Sequence, residues 1–366
     1  VKAELSRKDL NDALTFASPA ASTRSSLPIL QTLRMEARDD GLTVLACDGE
    51  MWVERRVHAQ VEKEGSVCAG AQVLLQVVAA LPEAPVKLEA VDASLFVRVS
   101  GGEWRFPGLP TEDFPLAPEF KTQSELRLPM CELVEAIDAV AFAVADDLAR
   151  PILTGVLFAY DGQVLTTVAT DTHRLAVMRL PKEGIGSELN AVVPEKALRA
   201  VKNLPLAPQD LVHVQFDDQR LSVDAGHAKV VAQLLSGQFP NWERVVPQES
   251  TRSWTVDRNE LAQNLRRALI LARDSANRIR FTGQDELVVL AARSEERGEA
   301  KEELRMIGKN GDVEIAFNGR YIEDFVKAVK ADGIRIDMTE PSRPAVFWPV
   351  DEEQRQFCVI MPMALG

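Results

Sequence analysis

The chain has 366 residues, 46% hydrophobic and 27% charged, a balance ordinary for a globular protein of two or three domains. A formal net charge of −13 argues against a module that grips nucleic acid with its whole surface, while permitting a local basic strip on an acidic body. No apolar run approaches the roughly 18 residues that span a bilayer, and VKAELSRKDL has no signal-like segment, so the cytoplasm is the expected location.

Cys47, Cys68, Cys131 and Cys358 are scattered and nowhere form C-x-x-C, which argues against a disulfide framework or a zinc knuckle. None of His58, His173, His213 and His227 has a second His or a Cys at metal-ligand spacing. No metal and no cofactor are expected.

In chain order, LTVLAC (42–47) and LFVRVS (95–100) alternate as half-buried strands do, on either side of a helical AQVLLQVVAAL (71–81). DFPLAPEFKTQSEL (113–126) reads as a linker, followed by an acidic helix in CELVEAIDAV (131–140). PEKALRAVKNL (194–204) is a helix with Ala197, Leu198, Val201 and Leu204 on one side and Lys196, Arg199 and Lys202 on the other. FPNWERVVPQESTRSW (239–254) is a second linker. DRNELAQNLRRALILAR (257–273) carries a helical apolar stripe. Two strands surround a turn at 283–285, a charged stretch follows, and NGRYIEDFVKAVKADGIRIDM (318–338) gives helix then strand.

The chain repeats. Pro28-Ile29-Leu30 matches Pro151-Ile152-Leu153, Asp48 matches Asp171, and Leu81-Pro82 matches Leu204-Pro205, each 123 residues apart. Phe114-Pro115 and Phe239-Pro240 follow at 125, with Met361-Pro362 as a third echo. The third copy is weaker but keeps the order of helix and strand. Three copies of one domain are expected, at 1–120, 121–248 and 249–366, each an α+β unit with two helices on antiparallel strands.

One stretch, ATDTHRLAV (169–177), places a carboxylate, a hydroxyl, an imidazole and a guanidinium side by side. A hydrolase or transferase using Asp171 and His173 is one reading. Strand neighbours point to opposite faces, however, so adjacency is a poor argument for a triad. No G-x-x-x-x-G-K-[ST] loop accompanies it. A nonspecific scaffold of repeated domains is the other rival.

RPILTGVLF, ATDTHRLAV, FPNWERVVP, AFNGRYIEDFVKAV and the terminal CVIMPMAL together resemble the bacterial DNA polymerase III β subunit family, the sliding clamps, over the whole chain. That resemblance implies three DNA-clamp domains per chain and a head-to-tail homodimeric ring that encircles duplex DNA. It implies no chemistry of its own. The implied partners are the DNA polymerase III catalytic subunit, an ATP-driven clamp loader, and other polymerases and repair proteins that bind through short linear peptides.

By the same resemblance, a partner-peptide pocket has walls at Leu153, Thr170, Leu175, Pro240, Val245, Val359, Ile360, Met361, Pro362 and Met363. His173, Arg174, Arg244, Asn318 and Tyr321 supply its polar rim, and Thr172 stands at the mouth where relatives commonly have Gly. Ala276 replaces a larger side chain of relatives and should open one wall. Phe106 on one side and Ile270 with Leu271 on the other are the implied dimer contacts. Arg24, Lys196, Arg199 and Lys202, then Arg266, Lys327 and Lys330, are the expected DNA contacts.

Overall fold

The computed structural model describes residues 1–309, 312–350 and 354–365; the acidic run Asp351-Glu352-Glu353 and the final Gly366 lie outside the described residues. The chain forms two compact units. One comprises Val1–Cys131 and Lys196–Leu234, the other Glu132–Glu195 and Leu235–Gly366.

Six α-helices occur among the described residues: α1 (Arg7–Ala17), α2 (Ala71–Ala80), α3 (Met130–Asp138), α4 (Glu195–Lys202), α5 (Arg258–Ala272) and α6 (Gly319–Ala328). The second helix of each repeat begins at 71, 195 and 319, in equal steps of 124. The second and third repeats share one order, strand, helix, four strands, helix, three strands; the first adds a short strand at Gln60–Lys63. Every repeat therefore opens on a strand that the sequence reading does not separate. Ser124–Pro129 and Arg252–Asp257 are those strands in the later repeats, so both expected linkers end earlier than drawn.

Local chemistry starts the helices. Ser6 accepts from the Asp9 N–H (3.0 Å) while its hydroxyl donates to the Asp9 carboxylate (2.7 Å). Asp257 accepts from the Glu260 N–H at 2.8 Å, and Asn318 from the Arg320 N–H at 3.0 Å. Each satisfies a first-turn donor that has no partner within its helix. The helices hold by their apolar stripes: α5 buries Leu261, Leu265, Ala268, Leu269 and Ala272, and α6 buries Ile322, Phe325 and Val326.

Each unit contains one antiparallel sheet. Among the described residues the first has thirteen strands and the second twelve. The middle repeat is shared: Ser124–Pro129 and the strands between Leu211 and Gln233 join the first sheet, and the strands between Gly155 and Pro194 join the second. Each sheet thus contains a seam between repeats. Met51–His58 pairs with Ala228–Gln233 in one, and Arg174–Pro181 with Gln356–Ile360 in the other.

The repeat extends to hydrogen bonds. Pro28–Gln31 and Pro151–Thr154 are both single 3-10 turns. Asp48 Oδ1 accepts from the Glu50 and Met51 N–H groups at 2.9 and 2.8 Å. Asp171 Oδ1 does the same for His173 and Arg174, both at 2.9 Å. An aspartate closing its own turn in this way is an Asx turn.

Candidate functional site

The second unit's seam carries the site. Arg174 lies opposite Ile360 and Leu175 opposite Val359. Leu175, Val177, Val346, Phe357 and Val359 form a buried apolar cluster, over which Ile152, Phe239, Trp242 and Val246 pack, partly exposed. The C-terminal tail is pinned beside it: the Met361 N–H donates to the His173 carbonyl at 2.9 Å, and the Met363 N–H to the Ala316 carbonyl at 2.7 Å. Met361 remains 44% exposed. An apolar floor with a flexible thioether at its lip suits a ligand of variable side chains.

Both oxygens of Asp171 are engaged. Oδ1 closes the turn, and Oδ2 accepts from Arg174 Nε at 2.9 Å. The other side of the guanidinium donates to Asp324 at 2.6 Å and lies over the Tyr321 ring, 4.5 Å from its centroid. Phe142 approaches the same guanidinium at 5.6 Å. His173 stacks on Tyr321 with centroids 6.4 Å apart and planes 19° apart. Burial, then the charge of Asp171, raises the Tyr321 phenol above its ordinary range. Thr170 Oγ1 donates to the Arg174 carbonyl (2.7 Å) rather than to an imidazole. What results is an ion-paired polar rim beside an apolar floor, with no hydroxyl–imidazole–carboxylate relay among the described residues of this seam.

Three family models match in tandem: the DNA polymerase III β subunit N-terminal domain over residues 1–118, the central domain over 127–241 and the C-terminal domain over 243–364. The β sliding clamp of Halalkalibacterium halodurans is 30% identical over 356 residues, covering 93% of this chain and 94% of that protein. The chain belongs to the bacterial DNA polymerase III β subunit family, the β sliding clamps. The Vibrio cholerae clamp is 29% identical with both chains covered completely. The crystal structure of the DNA polymerase III β subunit from Thermotoga maritima is 25% identical and covers all of both chains, with a TM-score of 0.92. Three repeated clamp domains built of helices and antiparallel sheets are therefore the architecture.

Against that family the expected pocket residues sort themselves. Leu175 and Val359 are in the apolar cluster, Leu153 and Thr170 are nearly buried, and Thr172, His173, Pro240, Arg244 and Met361 are exposed. Pro362 and Met363 are half-buried. Ile360 is a correction. It is fully buried on the strand face opposite Val359 and offers no wall. Val245 is 52% exposed, while its neighbour Val246 packs on the cluster, as Phe239 does beside Pro240. Asn318 spends its side-chain oxygen on capping α6. Sequence reasoning misses Asp324, although it stands three residues after Tyr321 on one helix face, a signal that helical spacing contains. Phe142, Trp242 and Phe357 have no such signal. Ala276 adopts a left-handed conformation, φ 55°, just past the end of α5.

Besides the strands that end each sheet, two clamp strands are open along most of their length. Gly102–Pro107 pairs only with Ser94–Val99, and Gly298–Arg305 only with Leu287–Ser294. Each leaves one row of main-chain groups without a strand neighbour among the described residues. Phe106 lies on the first of these strands but is only 7% exposed. Ile270 is 56% exposed and Leu271 half-buried, while Leu269 is the core residue of that turn of α5.

The DNA candidates also divide. Arg24, Arg199, Arg266, Lys327 and Lys330 are exposed and Lys202 is half-buried. Lys196 is a second correction: its ammonium lies 3.0 Å from Asp48 and 2.6 Å from Glu50, so its charge is spent within the chain. Lys327 pairs with Glu323 at 3.1 Å and keeps most of its surface open. Among the described residues no group of three or more His, Cys, Asp or Glu could hold a metal ion, and no helix is long and apolar enough to cross a membrane. Burial lifts the Cys47 thiol to about 11 and raises that of Cys358.

Proposed function

We propose that two copies of this clamp close head to tail into a ring around duplex DNA and hold the DNA polymerase III catalytic subunit there, with no catalytic step of their own. The repeats meet near residues 120 and 248, as 1–120, 121–248 and 249–366. The observation that carries the reading is the pair of half-open strands, one in the first repeat and one in the third. A strand edge in one copy can complete the edge of the next, and a head-to-tail contact used twice closes a ring. Ile270 and Leu271 lie at that junction, with Phe106 behind it.

Topology then replaces affinity. A ring stays on its track by enclosure, so the sparse basic set of Arg24, Arg199, Lys202, Arg266, Lys327 and Lys330 suffices for sequence-independent contact, and a net charge of −13 disfavours binding elsewhere. Opening the ring requires an outside ATP-driven loader. The groove at Leu175 and Val359, rimmed by Arg174, His173 and Tyr321, receives short linear peptides of polymerases, the loader and repair proteins. Such proteins act in the cytoplasm, on the chromosome.

The test is retention on DNA. Loaded onto a nicked circle, the ring remains through a high-salt wash, and it is lost when the circle is linearised. Equal loss from both forms overturns the reading. Ile270→Asp with Leu271→Asp should halve the mass measured by light scattering to that of one 40.3 kDa chain and abolish retention. An unchanged mass shows the junction to be misplaced.

A further inference from the structure

The first unit contains the same kind of seam. Met51 lies opposite Ala232 and Trp52 opposite Val231, as Arg174 and Leu175 lie opposite Ile360 and Val359. The 3-10 turn at Pro28–Gln31 and the Asp48 turn flank it as their counterparts flank the second seam. Phe114-Pro115 arrives at 125 residues' distance from Phe239-Pro240.

Two differences stand out. An indole occupies the position of Leu175: Trp52, whose N–H donates to the Pro115 carbonyl at 3.2 Å. Phe114, only 4% exposed, is sunk among Leu30, Cys47 and Cys68, with Leu45 and Trp52 packed against them. A cavity of about 210 Å³ remains, bounded by Leu45, Trp52, Phe114, Leu116 and Val231, with Glu54 and Lys229 also lining it. Leu116 is 59% exposed over it.

The geometry points to a latent second peptide groove in the first repeat, occupied by the chain's own Phe114–Ala117 segment and kept shut by Trp52. The assignment rests on the peptide-binding reading of the second seam. The physical basis is volume and hydrogen bonding together. The indole is larger than the leucine side chain at the matching position, and its N–H ties down the segment that a foreign peptide would displace. The rim differs as well, because Gly49, Glu50 and Met51 stand where Thr172, His173 and Arg174 do. No guanidinium stacked on an aromatic ring rises from that turn, so an opened groove binds more weakly.

The experiment counts sites. The full chain is titrated with a fluorescein-labelled synthetic peptide carrying the clamp-binding segment of a polymerase III catalytic subunit, and stoichiometry is read by sedimentation. The wild-type chain binds one peptide. Trp52→Leu with Leu116→Ala should bind two, the second about tenfold more weakly for want of the Arg174 rim. Adding Leu175→Ala and Met363→Ala should leave the opened variant one site and the otherwise wild-type chain none. One site in a cooperatively melting opened variant overturns the latent groove. Undiminished binding by Leu175→Ala with Met363→Ala in the wild-type background overturns the peptide reading instead. Should the leucine variant lose its cooperative melt, Trp52→Phe with Leu116→Ala removes the indole N–H and keeps a ring, and the same count decides.

Discussion

Asp48 and Asp171 make the same turn at the same place in two repeats, and what surrounds them differs. Around Asp171 the charge is nearly covered: the Arg174 side chain is 10% exposed and bridges Asp171 and Asp324 while lying on Tyr321. Around Asp48 the cation is Lys196, 38% exposed, reaching two carboxylates from α4. One turn holds a doubly paired guanidinium beside an apolar cluster over which Phe239 and Trp242 pack. The other ties a helix to a hairpin beside a groove that the chain fills itself. The lesson is that a repeated backbone device sets position, and the side chains after it set use.

The largest test of that contrast is binding. Leu175→Ala with Met363→Ala removes a floor side chain and a tail thioether beside it, and peptide affinity measured by fluorescence anisotropy should fall about 100-fold, ~3 kcal/mol. Trp52→Ala at the matching position should leave that affinity unchanged. Equal losses would erase the distinction between the seams.

Stability comes next. Arg174→Ala leaves Asp171 and Asp324 without their cation in a partly buried setting and should cost about 2 kcal/mol in urea unfolding. Lys196→Ala breaks two more exposed contacts and should cost less than about 1 kcal/mol. A reversed order would mean that the first turn, not the second, is the rigid one.

The smallest effects sharpen the backbone half of the comparison. Gly49 and Thr172 occupy matching positions with φ of 96° and 79°, in the left-handed region. The nearest neighbour of a Cβ at Gly49 is Leu30 Cδ1 at 4.0 Å, so steric crowding is not the issue. Gly49→Thr should therefore cost about 1–2 kcal/mol from backbone strain alone. Thr172→Gly relieves that strain but adds chain entropy in the unfolded state, for a net gain of about 0.5 kcal/mol in thermal melts. A loss of stability in the second variant would show that the threonine hydroxyl contributes more than its backbone costs.

Much of this is legible in the sequence because the signals are local. The helical stripes of α4, α5 and α6 appear as buried faces, whereas the turn expected at 283–285 falls later, at Asp285-Glu286, because Gly283 and Gln284 pair with Val288 and Leu287. The constant offset near 123 residues exposes the repeat, since identical turns need similar residues at similar places. Partners of those signals are harder to see. Phe142 and Trp242 reach the site from single 3-10 turns, too short for a periodicity to encode their direction. Lys196 reads as an outward cation on its helix, and nothing in its own segment announces Asp48 and Glu50.

By itself the amino-acid order determined the elements, their threefold recurrence and the family, because hydrophobic period, capping residues and turn chemistry act over a few residues each. Tertiary structure alone decided which side chains cover each seam, which cations are spent inside the chain and which strand edges lack a neighbour. Those outcomes depend on groups far apart in the chain meeting within hydrogen-bond distance, and no single segment records its distant partner. Lys196 with Asp48, 148 residues away, is the plainest case.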